Sequence, residues 1–492
     1  MPGVRFGDPS VDPAVPSALR DHFCDRFSDS IEQRIGHAYD GTPLRSGRPL
    51  GVLRPASVED VVRLVGLASD LGFSIVPRGA GTGLSGGSIP DPRSVVLVMS
   101  GWNRILEIDE ENLCAWVQPG VVTADLHRAV EARGLFYPPD PGSMNVCTIG
   151  GNVAENSGGL RGLKYGVTKD YVLGLEAVLA TGEVYRGGGK SVKDVAGYNL
   201  VDLLVGSEGT LGVITRVLVR LVPRPETSAT LLALYPSVAV AARTVTAILS
   251  ARIVPATLEF LDRTTLRCVE AYARLGLPGD AGALLLIEVD GRAAVVAEDA
   301  ARIEAICSAS GATHVIRAAD EVEALRLKTA RRAAFASLAR LSPTTILEDA
   351  TVPRSALPEM VAAVERIAAK HDLVIGNFGH AGDGNLHPTC CIDGRDPDQV
   401  ARAHRAFEEI FRTALDLGGT ITGEHGVGLS KKAYLPDAIG AGGMRWTRAL
   451  KRALDPAGIL NPGKIFDPDP SDHRERAPFA EETVPACERG FS

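Results

Sequence analysis

The chain has 492 residues, enough for two or three domains, and at 45% hydrophobic and 23% charged its composition is that of an ordinary globular protein. A formal net charge of −8 argues against a nucleic-acid binder. The eight cysteines include no CxxC pair and no run approaches roughly 18 consecutive apolar residues, so disulfides, iron–sulfur ligation and membrane spans are not expected.

Residues 1–47 are polar and mixed, with a helix expected at 18–35. Arg5, Asp8 and Asp12 and the lack of an apolar run predict no signal peptide. A cytoplasmic location is expected, with peripheral attachment to a membrane left open. Residues 52–55 read as a strand. Ser57 caps a helix, with Asp60 three residues on and Val61, Val62, Leu64, Val65 and Leu67 behind it; Gly72 ends it, and 73–76 is a strand. From 79 to 225 glycine and short Val/Leu/Ile runs predict strands at 95–99, 114–117, 174–179 and 212–221, with few helices. Pro223-Arg224-Pro225 marks a boundary. Beyond it, a second α+β region at 226–443 carries helices at 237–251, 262–275, 292–310, 320–341, 355–371 and 398–417, with strands at 283–289 and 373–378. A closing segment at 444–467 starts with a helix at 444–454, and the Pro- and charge-rich stretch 468–492 reads as a disordered tail.

The strongest local feature follows the strand at 73–76: Pro77-Arg78-Gly79-Ala80-Gly81-Thr82-Gly83-Leu84-Ser85-Gly86-Gly87. Without Cβ atoms, successive N–H groups can turn toward one anion and form a phosphate-binding nest. Gly81-x-Gly83-x-x-Gly86 satisfies the dinucleotide fingerprint on paper. Gly87, Pro90 and Pro92 follow where that fold needs a helix, so a Rossmann site is rejected. Gly187-Gly188-Gly189-Lys190-Ser191 fails as a P-loop because Val184 stands where its first glycine belongs. A second glycine-rich system runs through Pro141, Gly142 and Ser143 to Thr148, Gly150, Gly151, Asn152, Ala154, Asn156, Gly158 and Gly159. A third piece holds Gly209, Gly212 and Ile214. Such density of Gly, Ser and Asn suits close backbone approach to a large, flat, polar ligand.

In this order, the three pieces resemble the FAD-binding domain of the vanillyl-alcohol oxidase/p-cresol methylhydroxylase superfamily, over roughly 48–225. The resemblance implies that the first loop wraps the FAD pyrophosphate and that the other two pieces line the rest of the cofactor. Some members tether FAD through a histidine of the first loop; none occurs between 78 and 90, so non-covalent FAD is expected.

The second region carries Gly379-His380-Ala381-Gly382-Asp383-Gly384-Asn385-Leu386-His387 and, later, Gly423-Glu424-His425-Gly426. His380 ends one expected strand and His387 begins another, with an Asp-Gly turn between them. Such a hairpin brings the two imidazoles together, and Glu424 completes a two-His, one-carboxylate set suited to Zn or Mn. The alternative is a pair of loop histidines, with Asp383 and Asn385 making turn bonds.

The two motifs resemble the C-terminal domain of the glycolate oxidase catalytic subunit, D-lactate dehydrogenases and D-2-hydroxyglutarate dehydrogenases, and similarity to that group runs from about 45 to 466. The resemblance implies a metal on His380, His387 and Glu424, a base at His425, and Asn385 near the substrate. It also implies an arginine on the substrate carboxylate, at Arg331 or Arg332, and a C-terminal segment with Asn461 that returns to the flavin domain. Lys328 stands where many relatives have tryptophan, which leaves the arginine register open. The reaction implied is oxidation of a small D-2-hydroxy acid. The electrons would pass to a separate acceptor: an electron-transfer flavoprotein, an iron–sulfur subunit, a quinone or a cytochrome. A homodimer is compatible with the sequence. The competing function in the same fold is that of the alkyl-glycerone-phosphate-synthase-like ether-lipid synthases, which run a non-redox exchange.

Overall fold

The structure is a computed structural model that describes residues 14–43 and 45–467. The first 13 residues and the expected tail 468–492 lie outside it.

The small sheets all come from residues 27–223. Four strands, Phe27–Ser28, Gly51–Leu53, Ser94–Val98 and Ser74–Arg78, form one sheet, the last three parallel. The helix Val58–Leu71 covers it; Ser57 accepts from Asp60 N at its start and Gly72, at φ 73°, ends it, as the sequence predicts. Five strands form the second sheet, in the order Ile105–Asp109, Cys114–Val117, Val213–Arg220, Val172–Val178, Val184–Gly188. No helix follows the 79–87 loop, in keeping with the rejection of a Rossmann site.

A single large sheet comes from 227–392. Its order is His314–Arg317, Thr227–Tyr235, Ala283–Gly291, Thr257–Asp262, Val374–His380, Asn385–Ile392 and Thr344–Leu347, with Ala350–Thr351 also on Asn385–Ile392. Helices flank it; Val238–Ser250, Ala293–Ala309, Leu357–Lys370 and Pro397–Asp416 bury apolar faces in one continuous core.

After the helix Leu435–Leu454 the chain returns to the first sheet. Asn461 N donates to Ile75 O, and Ile75 N donates to Ile459 O, which adds a short parallel bridge beside the glycine loop. Lys464 Nζ reaches Ile89 O at 2.8 Å.

Three expected elements differ. The helix 18–35 is broken into Ala14–Phe23 and Ile31–Gly36, because Phe27 and Ser28 pair with Leu53 and Val52 and Ser30 caps a new helix. The stretch 320–341 splits into Glu321–Arg332 and Ala334–Leu338. Residues 149–155 form a short helix capped by Thr148 within the glycine-rich stretch.

Candidate active site

The first glycine loop and the second glycine-rich segment interlock. A Cβ at Gly79 would strike the Thr148 hydroxyl, and one at Gly150 would lie 2.5 Å from the Pro119 side chain. Between these segments and the large sheet lies a cavity of about 870 Å³. Residues 77–84, Pro141, Gly142, Ser143, Thr148, Gly150, Gly151, Asn152, Ala154, Gly209, Gly212 and Ile214 all line it. At Gly142 a Cβ would meet no protein atom within 4 Å, as expected where backbone borders a cofactor-sized space.

The remaining expected cofactor residues stand behind this wall. Ser85 is fully buried, and its carbonyl accepts from Leu429 and Ser430 N–H groups. Asn461 Nδ2 ties Gly87 O to Glu208 O at 2.8 and 2.7 Å. Asn156 is left-handed at φ 53° and ends the short helix. Gly159, at φ 143°, packs on Asp140, and a Cβ at Gly158 would fall 2.5 Å from Glu424 Oε2. Gly158 thus marks where the flavin half touches the histidine cluster.

The large sheet builds that cluster by register. Phe378 is opposite His387, and His380 is opposite Asn385, so both histidines lie on one face of the hairpin. Glu259, on the neighbouring strand, is opposite His380. His380 Nε2 lies 2.9 Å, and His387 Nε2 3.1 Å, from Glu424 Oε1. The three ligand atoms fall within 4.8 Å of one another. The other ring nitrogen of His380 faces Glu259 Oε1 at 2.6 Å, and Glu259 Oε2 accepts from Arg331 Nε at 2.6 Å. His425 stacks on His387 with ring centroids 5.0 Å apart. His380, His387, Glu424, His425 and Arg331 all line the cavity.

Electrostatics follow from this burial. For Glu424, burial alone would raise the pKa, but His380 and His387 outweigh it and hold the carboxylate well below its ordinary range. Glu259 is likewise kept low, His380 and Arg331 overriding desolvation. Burial pulls His425 down to about 4 against the opposing pull of Asp349.

Arg331 is buried in the last turn of its helix, over the Phe378 ring at 4.8 Å, whereas Arg332 is exposed at the cavity rim. Asn385 is not part of the cavity wall; its Oδ1 accepts from Thr351 Oγ1 at 2.9 Å and its side chain packs against Gly423.

Four acidic residues at the site carry no sequence signal. Glu259 stands in a strand buried at every position, which hides any alternation. Asp349 and Glu208 hold the 423–428 loop from opposite sides: Asp349 accepts from Gly423, Glu424 and His425 N–H groups, and Glu208 from those of Val427 and Gly428. Glu155, whose pKa is pushed up by burial and then by Glu208, lines the cavity where a Cβ on Gly426 would collide with it.

Two family models match the chain: an FAD binding domain over 49–188 and the C-terminal domain of FAD linked oxidases over 224–465. The glycolate oxidase subunit GlcD of Bacillus subtilis (strain 168) is 56% identical over 90% of this chain and 95% of that protein. A D-lactate dehydrogenase of Anaerostipes hadrus is 35% identical over 85% of this chain and 90% of that one. The solved structure of p-cresol methylhydroxylase with substrate bound superposes with a TM-score of 0.78 at 17% identity, covering 93% of this chain and 98% of that one. The chain belongs to the FAD linked oxidases and is an FAD-dependent oxidoreductase of the vanillyl-alcohol oxidase/p-cresol methylhydroxylase fold. Among the described residues no helix is long and apolar enough to cross a membrane.

Proposed function

We propose that this flavoenzyme oxidises a small D-2-hydroxy acid, glycolate or D-lactate in size, to the 2-oxo acid. The observation that carries the reading is the convergence of His380, His387, Glu424, His425 and Arg331 on one wall of the flavin cavity.

The lining residues of 77–84, 141–143, 148–154 and 209–214 would hold FAD without a covalent bond, and Ser85, Asn156, Gly158, Gly159 and Asn461 would brace them from behind. Bound there, FAD supplies the two-electron acceptor for the Cα hydride. His380, His387 and Glu424 suit a divalent cation, Zn or Mn, which supplies Lewis acidity toward the substrate hydroxyl. Charge supports the fit. Glu259 and Asp349, both buried, are each paired with a buried cation, Arg331 and Lys431, which leaves the half-buried Glu424 carboxylate to the two histidines and a cation. Glu259 on the far ring nitrogen of His380 is the outer carboxylate that orients a ligating imidazole.

Arg331 has Nε committed to Glu259, so its two terminal nitrogens are left to take the substrate carboxylate as a fork. Held that way, the acid presents its hydroxyl to His425, which accepts the proton. Leu347, Phe378 and Ala336 form an apolar wall around this end, and Arg332 at the rim is exposed. That favours a short, apolar tail over a second carboxylate, and so glycolate or D-lactate over D-2-hydroxyglutarate. The set of base, cation ligands and carboxylate arginine equally favours dehydrogenation over the ether-lipid exchange.

We further assign 48–225 as the flavin domain, 226–443 as the substrate domain and 444–467 as the return to the flavin domain, with 1–47 as the segment that precedes them. The B. subtilis relative is called a subunit, which supports a separate protein or quinone as electron acceptor for this chain too. The test is anaerobic bleaching of the FAD-loaded protein by a panel of D- and L-2-hydroxy acids. Bleaching by glycolate and D-lactate, and not by L-lactate, is expected. No bleaching by any acid refutes the reading and favours the synthase-like chemistry.

A further inference from the structure

The loop that carries both Glu424 and His425 is short, glycine-flanked and without regular structure, so something outside it must set the direction of its side chains. Asp349 does this with one fully buried carboxylate. Its Oδ2 accepts from three successive backbone N–H groups, those of Gly423, Glu424 and His425, at 2.7, 2.8 and 3.3 Å. Three amides converging on one oxygen fix the peptide planes on both sides of Glu424, and with them the launch directions of the Glu424 and His425 side chains. Thr422 Oγ1 donates to the same carboxylate, 3.0 Å from Oδ1 and 3.3 Å from Oδ2. The other oxygen, Oδ1, lies 3.5 Å from His425 Nδ1, a ring atom sealed from solvent with no hydrogen-bond partner among the described residues. Lys431, also fully buried, donates to Oδ1 and keeps the carboxylate charged in place.

Asp349 is itself anchored to the sheet that holds the other two ligands. It follows the strand Thr344–Leu347, where Leu347 is opposite Thr389, and precedes Ala350–Thr351, where Thr351 is opposite Asn385. A single residue therefore connects the strand of His387 to the loop of Glu424 and His425.

We propose that Asp349 is the positioning residue of this site, the group that aims Glu424 at the cation position and His425 at the substrate hydroxyl. The inference rests on the hydroxy-acid reading above. Removing a group that orients a ligand without being one typically costs about 10–100-fold in metal affinity or activity.

The test uses the full chain loaded with FAD, as wild type, Asp349→Asn and the double variant Asp349→Asn/Lys431→Met. The double variant removes both members of the buried pair, whereas the single one leaves Lys431 with only Glu348, at 3.5 Å, so the pair of variants separates loss of positioning from loss of charge balance. Zn²⁺ is titrated calorimetrically into chelator-stripped protein, and the limiting rate and apparent Kd of anaerobic flavin reduction are measured with glycolate. Both variants are expected to keep FAD, to bind Zn²⁺ about 10–100-fold more weakly and to reduce their flavin slower by a similar factor. Their apparent Kd for glycolate should stay within about threefold, since Arg331 grips the carboxylate independently. Wild-type Zn²⁺ affinity and rate in Asp349→Asn would overturn the inference. So would their recovery in the double variant, because Asp349 would then serve only to neutralise Lys431. A wild-type protein that neither binds Zn²⁺ nor bleaches with any acid would instead overturn the hydroxy-acid reading, and this inference with it.

Discussion

Replacing Arg331 separates recognition of the substrate carboxylate from everything else at the site. Among the described residues the Arg331 side chain makes one hydrogen bond, from Nε to Glu259 at 2.6 Å, and it is 11% exposed beside the cavity. A bidentate grip on the substrate carboxylate adds two charge-assisted hydrogen bonds, each about 1.5–3 kcal/mol. Losing both therefore lowers kcat/KM by roughly 10²–10⁴-fold, at about 1.4 kcal/mol per decade. Arg331→Met also strips Glu259 of a partner, and breaking a buried ion pair costs about 3–5 kcal/mol of stability. Arg331→Lys keeps a charge beside Glu259 and gives up the fork, so it should stay folded while losing most of the carboxylate recognition. The assay is anaerobic flavin reduction with glycolate and, in parallel, glycolamide, which has the same hydroxyl and no carboxylate. The loss in Arg331→Lys should be large for glycolate and small for glycolamide. An equal loss for both substrates, or none for either, would refute the assignment and return the carboxylate to Arg332.

Other expectations follow from the same geometry. His425→Ala should stay yellow and folded while flavin reduction by glycolate falls by about 10²–10⁴-fold, the usual worth of a general base; full turnover would exclude it from that role. Gly158→Ala places a methyl 2.5 Å from Glu424 Oε2, so FAD should remain bound while Zn²⁺ affinity drops, read by calorimetry on flavin-loaded protein. Acid precipitation should release all the flavin into the supernatant; yellow pellets would show a covalent link that the histidine-free first loop does not provide. Burial raises Glu348 from 4.5 to about 7, against the pull of Lys431, whose Nζ lies 3.5 Å from Glu348 Oε2, an oxygen without a hydrogen-bond partner among the described residues. Its folded pKa lies above the unfolded one, so the native state binds the extra proton between about pH 4.5 and 7 and loses stability as pH rises through that window. Glu348→Gln should therefore match wild type at the acid end and exceed it by up to about 3 kcal/mol above pH 7, by chemical denaturation; a gap that does not change with pH would contradict this.

Glycine loops are legible in sequence because backbone conformation demands them: Gly81 and Gly86 sit at φ 71° and 82°, and no other residue adopts those angles at so little cost. The histidine cluster is legible because its members fall in two short glycine-flanked motifs, one across the turn of a hairpin and one in the 423–428 loop. The acids that organise the site leave no such trace. Glu259 lies 121 residues before His380, and the two meet only because the strand register sets them opposite. Asp349 acts through backbone amides, which every residue has, so nothing in the 423–425 sequence names its partner. The choice between Arg331 and Arg332 needs the phase of the helix Glu321–Arg332, which buries Leu327, Ala330 and Arg331 and leaves Arg332 exposed. The strand Thr257–Asp262 is hidden for another reason: buried at every position, it shows no period-two alternation.

The central claim is that the flavin cavity and the His380–His387–Glu424 cluster act on one and the same hydroxy acid. Its most direct test is anaerobic flavin reduction by D-lactate or glycolate in chelator-stripped protein, before and after adding one equivalent of Zn²⁺ or Mn²⁺, with FAD content measured in both states. Reduction should be nearly abolished without the cation and restored with it, at unchanged FAD content. Full-rate bleaching of protein that retains FAD but holds no metal would contradict the claim.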